Sequence, residues 1–162
     1  IDSLDLGKLN VFGNDLSKIC EKEKSKFRKN NYGFVYQSNN LFDDFNALDN
    51  VALPLILNNH NKSEAYKKSE YILEKFGLIS RKSHFPNSLS GGEQQRVAIA
   101  RAIVNKPKIV IADEPTGNLD KENSLIIFNY LMKYVDSENL TVVMATHNID
   151  LANKCNKEIK LA

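Results

Sequence analysis

The sequence predicts an α/β fold built on a mostly parallel sheet. Three features point there. Ile109-Val110-Ile111-Ala112 is a short apolar run rich in β-branched residues, without polar alternation. That pattern suits a strand buried on both faces of a parallel sheet. Thr141-Val142-Val143-Met144-Ala145 is a second such run. Around them lie stretches with apolar residues at helical spacing, so strands and helices alternate along the chain.

The composition bounds the rest. A chain of 162 residues corresponds to one domain, and 42% hydrophobic residues suffice for a core. A net charge of +2 is too mild to point to nucleic acid or to an anionic membrane surface. Cys20 and Cys155 form no C-x-x-C pair; they fit a reduced cytosolic protein and signal neither disulfide nor metal. The longest apolar run, Val51 to Leu57, is interrupted by Pro54 and is far too short to cross a bilayer. No signal peptide opens the sequence.

Taken in order, Gly7 to Gly13 alternates polar and apolar and reads as a half-exposed strand. Leu16 to Asn30 carries mixed charge and reads as a solvated helix. Gly33 to Tyr36 is a short apolar strand that Gln37 ends. Leu41 to Leu57 is apolar and irregular, with Pro54 as a breaker. Asn58 to Asn61 is a polar turn. A helix begins at Ser63, with Ala65, Ile72, Leu73 and Phe76 on one side and Gly77 just past its end. His60 and His84 sit in polar loops and read as surface residues.

Ser90 to Glu93 fits the capping box, Ser-x-x-Glu, ahead of an apolar helix that stops before Pro107. Gly91 and Gly92 cost helix stability. What they provide is open backbone N–H at a helix start, where an anion is favoured. Val97, Ile99, Ala100, Ile103 and Val104 form an ordinary core face. Asp113 and Glu114 sit at the carboxyl end of the apolar strand, where open α/β sheets place their ligands. One carboxylate can serve Mg²⁺ and the other can orient a water. A strand ending in two solvated acids is the plain alternative. Lys121 to Asp136 is helical, with Leu125, Phe128, Leu131, Met132 and Val135 facing inward. His147 follows the second apolar strand and so also sits at a strand's carboxyl end. Ile149 to Lys154 reads as a short helix and Glu158 to Leu161 as a last strand.

Leu89-Ser90-Gly91-Gly92-Glu93-Gln94, then Asp113-Glu114-Pro115, then Gly117-Asn118-Leu119-Asp120, then Thr146-His147 resemble the ATP-binding-cassette (ABC) ATPases in content and order. The resemblance implies a P-loop NTPase-like (RecA-like) sheet with an inserted α-helical subdomain over residues 41–92, within one partial ATPase domain over 1–162. It implies ATP and Mg²⁺ as cofactors. Asp113 and Gln37 would attend the metal, Glu114 would polarise the attacking water, and His147 would contact the γ-phosphate. Ser90, Gly91, Gly92 and Gln94 would bind nucleotide across a homodimer, and Asp120 would couple its two sites. The interval between Gln37 and Ser90 is too short for the long coiled coil of DNA-tethering members, which argues against a nucleic-acid partner.

Finer strings narrow the family. Phe34-Val35-Tyr36-Gln37, Leu41 to Leu55, Gly77 to Pro86 and the Gly-Asn-Leu-Asp motif resemble the lipoprotein-releasing (LolD-type) ATP-binding subunits. That implies a peripheral protein on the cytoplasmic face of the bacterial inner membrane, working with integral-membrane permease subunits. The macrolide-export and cell-division (FtsE-type) ATPases share the same Gly-Asn-Leu-Asp motif. Departures are Gln94-Gln95, where many members have Arg-Gln, and Phe85, where Arg is common.

The phosphate-gripping loop G-x-x-x-x-G-K-[ST] does not occur in these 162 residues. The resemblance places it, and its strand, upstream of the segment that Ile1 to Gly7 resembles. The expectation is a fragment of a longer protein or a truncated gene product, and a non-catalytic or decayed module stays open beside the enzyme. Backbone amides and a lysine of that loop supply most of the complementarity to phosphates. These 162 residues alone are therefore expected to bind ATP poorly. Titration with a fluorescent ATP analogue should show no saturation in the micromolar range.

Overall fold

The structure, a computed structural model, describes residues 7–160. Asn10–Val11 (β1) and Asn14–Asp15 (β2) pair antiparallel, so the expected strand over Gly7 to Gly13 is one arm of a small hairpin. Its two turn residues, Phe12 and Gly13, both take positive φ (50° and 78°), as a type I′ turn requires. Glu21–Asn31 (α1) buries no residue, in keeping with its mixed charge. Its acids lie in the first turn and Arg28 and Lys29 in the last, each sign at the favourable end of the helix dipole.

Tyr32–Val35 (β3) follows at once, and Ala47–Leu57 (α2) comes after a loop. Here the sequence reading needs correction: Pro54 sits inside α2 and does not break it. Proline removes one donor and crowds the preceding turn. Burial of Ala47, Val51, Ala52 and Leu55 outweighs that local cost. The start of α2 is also tied down firmly. Asn46 caps it, and the first free amides, of Ala47 and Leu48, donate to the carbonyls of His84 and Lys82 at 2.9 Å each. Asn50, fully buried, donates to the carbonyls of Phe42, Phe45 and Asn46 and accepts from the Phe42 amide.

Lys62–Lys75 (α3) starts one residue before Ser63, with Asn61 as its cap. It ends at Phe76, and Gly77 follows with φ 68° in the left-handed position the sequence assigned to it. Gly91–Ile103 (α4) opens with the expected capping box. Ile109–Asp113 (β4), Lys121–Glu138 (α5), Thr141–Ala145 (β5) and Ile149–Ala152 (α6) complete the order. Two short 3₁₀ turns, Ile79–Arg81 and Pro86–Ser88, join α3 to α4.

The sheet is parallel in the order β3-β4-β5. Gly33, Val110 and Val142 are in register on one face, and Phe34, Ile111 and Val143 are in register on the other. The first face carries the core. Val35, Val110 and Ala112 are buried there in one cluster with Val97, Ile99 and Ile103 of α4 and Ile127 and Leu131 of α5. The second face is different. Phe34 and Ile111 are half-buried and Val143 is 56% exposed. The expectation that β4 is buried on both faces therefore holds for one face only: α4 and α5 cover the face that carries Val110 and Ala112, and the face that carries Ile111 is left half-open.

Two further expectations are corrected. The buried stripe of α5 is Ser124, Ile127, Phe128, Leu131 and Tyr134, and Leu125, one position off that stripe, is exposed. Glu158 to Lys160 form no strand, and Leu161 lies outside the described residues.

Where β3 meets α4 the backbones almost touch. A Cβ on Gly33 would sit 2.3 Å from the Ala102 carbonyl oxygen. Gly33→Ala must push the helix off the sheet. The expected loss is about 2–3 kcal/mol, the usual scale of overpacking, read as a lower urea midpoint at unchanged m-value.

Candidate functional site

The register places Asp113 opposite Ala145 at the last rung of the sheet. Asp113 belongs to the open face, shared with Ile111, and is exposed. Among the described residues its carboxylate takes no hydrogen bond and no ion pair. The next residue turns away. Glu114 has φ 42°, a left-handed conformation that is costly for a residue with a Cβ. Its amide still donates to the Ala145 carbonyl at 2.9 Å, and its carbonyl accepts from the Gly117 amide at 3.0 Å. The turn throws its carboxylate across to the end of β5. There it accepts from the His147 amide at 2.7 Å, from His147 Nδ1 at 2.8 Å and from Thr146 Oγ1 at 3.3 Å. A carboxylate only accepts, so the ring proton is assigned to Nδ1. Nε2 points away from this contact, on a side chain 78% exposed.

Gln37 arrives from the end of β3. Its Nε2 donates to Asn118 Oδ1 at 3.3 Å, and Asn118 Nδ2 donates back to the Gln37 carbonyl at 3.1 Å. Gly117 lies between. A Cβ there would be 2.9 Å from Gln37 Nε2 and 3.3 Å from the Glu114 Cβ. A side chain at this point would displace the Gln37 amide, because the Glu114–Gly117 turn and the end of β3 meet there. The ends of β3, β4 and β5 thus bring Gln37, Asp113, Glu114 and His147 to one rim. Thr146 and Asn118 join them. They were visible in the sequence only as members of motifs, and nothing local marks a pairing across 81 positions.

The donor set suits Mg²⁺. The Asp113 carboxylate is unpartnered among the described residues, and the Gln37 amide oxygen is left over once its nitrogen serves Asn118. Both are hard oxygen ligands. Among the described residues no cluster of three or more His, Cys, Asp or Glu side chains could cage an ion. Mg²⁺ normally takes one or two protein oxygens and completes its shell with water and phosphate, so two are enough.

A second group lies at the mouth of α4. Ser90 Oγ accepts from the Glu93 amide, and Glu93 Oε2 accepts from the Ser90 amide at 2.8 Å. Arg81 Nε donates to the other Glu93 oxygen at 3.1 Å. The Ser90 amide first, and the Arg81 guanidinium after it, hold the Glu93 carboxyl below its ordinary value. Gly91 is exposed and Gly92 is buried. Cβ atoms built on them would lie 3.5 Å from Leu119 Cδ2 and 3.4 Å from Asn123 Oδ1. The turn therefore rests against the start of α5. Asp120 caps that helix, accepting from the Asn123 amide at 2.9 Å and from Asn123 Nδ2 at 2.6 Å. These bonds lower its pKa.

Ser90, Gly91, Gly92 and Asp120 thus stand together, and no side-chain hydrogen bond joins them to Glu114 among the described residues. Gln94 has a different setting. Its Nε2 donates to the Pro86 and Leu89 carbonyls, and its Oε1 accepts from Asn39. In this conformation it holds the approach to the turn and presents no free amide.

The sequence pattern of the ABC transporter family matches residues 2–117. The chain belongs to this family. Its relatives include the lipoprotein-releasing system ATP-binding protein LolD of Nitrobacter hamburgensis, 42% identical over 161 residues, which cover 99% of this chain and 69% of the relative. LolD of Pseudoalteromonas translucida is 43% identical over 157 residues, covering 97% and 68%. LolD of Rickettsia bellii is 46% identical over 140 residues, covering 86% and 63%. Among solved structures, a dimeric bacterial ABC transporter cassette superposes with TM-score 0.82 at 38% identity, over 94% of this chain and 67% of that one. A dimeric post-hydrolysis state of an ATP-binding cassette, bound to ADP and Pi, gives 0.81 at 37% identity, over 93% and 67%. The fold is that of the ABC ATPase cassettes, and the family is of the LolD type.

One pH effect follows from the helix mouth of this ABC chain. Because the folded-state pKa of Glu93 is depressed, its contribution is complete above pH 4.5 and is lost as pH falls through the lowered value. Wild type should lose melting temperature below pH 4.5, and Glu93→Gln should lose less over the same range in a thermal scan.

Proposed function

We propose that the chain belongs to the ATP-hydrolysing subunit of an ABC transporter that drives lipoprotein release from the bacterial inner membrane. The observation that carries this reading is the Glu114 carboxylate, turned off the strand end and fixed by Thr146 and His147. An acid held this way can orient a water without wandering, and the neighbouring imidazole can meet a phosphate oxygen. Asp113 and the Gln37 oxygen would hold Mg²⁺, which when bound neutralises charge on the β- and γ-phosphates. The Ser90–Gly92 turn, with the dipole of α4 behind it, would meet the triphosphate bound by a second copy. Asp120, beside that turn, would register whether the second copy is engaged. The names of the relatives support lipoprotein release over macrolide export or cell division. Integral-membrane permease subunits would supply the pore; among the described residues no helix is long and apolar enough to cross a membrane.

The product of the whole reading frame tests this reading. It should turn over ATP, and Glu114→Gln should lower kcat by about 10²–10⁴-fold with nucleotide affinity retained. Turnover indifferent to that substitution would defeat the assignment of Glu114.

A further inference from the structure

We propose that α4 sets the position of Gln37, with Arg101 and Gln95 as the positioning residues. The inference rests on the reading of Gln37 as a metal-side residue. It goes beyond that reading in assigning two residues of the α4 helix to the task.

The geometry brackets Gln37 on both sides. Just before it, the Tyr36 carbonyl accepts from Gln95 Nε2 at 3.3 Å. Just after it, the carbonyls of Asn39 and Asn40 accept from Arg101, at 2.9 Å from one terminal nitrogen and 2.8 Å from the other. Asn39 also donates from its side chain to Gln94 at 3.1 Å. Three α4 side chains therefore hold the five residues centred near Gln37, and Asn40 is kept in a left-handed conformation with φ 48°.

Arg101 is the telling member. It is a partly buried guanidinium with no carboxylate partner among the described residues, and desolvation lowers its pKa. Burying a charge without a counter-ion is costly. The planar fork meets two successive loop carbonyls, which lysine's single ammonium cannot reproduce. The Phe42 ring lies 5.9 Å from the guanidinium and closes the far side. Gln95 is 2% exposed and directs its amide at a carbonyl next to the residue that matters. Because α4 also starts at the Ser90 turn, one rigid helix joins the two groups of the site. A shift of that turn moves Gln37 with it.

Two substitutions separate the strap from the fold. Arg101→Lys keeps the charge and the stem but loses the fork. Gln95→Met keeps the volume and loses the donor. In the 162-residue chain, hydrogen exchange across residues 36–46 should rise about tenfold in either variant, with exchange in α3 and the far-UV spectrum unchanged. Unchanged exchange in that segment overturns the proposal. The second readout uses the product of the whole reading frame. Gln37→Ala, which removes the ligand, and Arg101→Lys, which removes its support, should each raise the half-activating Mg²⁺ concentration, by at least about 10-fold, the lower end of the usual scale for losing a ligand's support. The double variant should be no worse than the worse single one, because both remove the same contact. An effect of Gln37→Ala that Arg101→Lys does not share reduces Arg101 to a structural role and overturns the proposal. No effect of Gln37→Ala defeats the metal reading of Gln37 instead, and the exchange measurement then decides the strap by itself.

Discussion

At Gly33 no side chain fits between β3 and α4. With Gly33 pressed against the Ala102 carbonyl, the helix lies as close to the sheet as two backbones can. The rest is placed by that contact. It seats Val97, Ile99 and Ile103 on Val35 and Val110, all of them buried in one cluster. Full burial of each such side chain contributes about 1.5–3 kcal/mol, so the helix has little freedom to slide. Its first turn carries Ser90 and the two glycines, and its middle reaches the loop beyond β3. The separation between the two groups of site residues is thereby a property of the core and not of the loops.

Strain at Glu114 is the second constraint. A left-handed residue that carries a Cβ costs on the order of 1 kcal/mol or more. Three hydrogen bonds to its carboxylate and one from its amide offset that cost. The distortion also separates two neighbours in the chain. Asp113 continues the strand and faces outward, while Glu114 leaves the strand and faces β5. Adjacent acids thereby acquire unlike surroundings, which a straight strand end would not give them.

Much of this was legible in the sequence because it is local. The capping box at Ser90, the turn at Gly77 and the apolar runs of β4 and β5 each depend on a few consecutive residues. What escaped was non-local. Pro54 reads as a breaker until the buried side of α2 and the carbonyls of His84 and Lys82 are known to hold the helix. Leu125 reads as core because helical spacing fixes a face only to within one position. The second face of β4 reads as buried because a bare apolar run cannot show how many sides are covered. The Gln37–Asn118 pair and the Arg101 fork join residues 81 and about 60 positions apart, and no periodicity reports such pairs.

The starts of α4 and α5 sit side by side, Gly92 against Asn123. Each start is the positive pole of its helix, and like poles repel. Glu93 at one pole and Asp120 at the other, with Glu122 beside it in the first turn of α5, are anions there, and Glu93 and Asp120 are tied to backbone amides. Their carboxylates are therefore counter-charges as well as caps: they let two positive poles share one corner of the molecule. Neutralising both would remove the two capping charges and leave Glu122 as the remaining first-turn acid of α5, so the helices would have reason to splay there first.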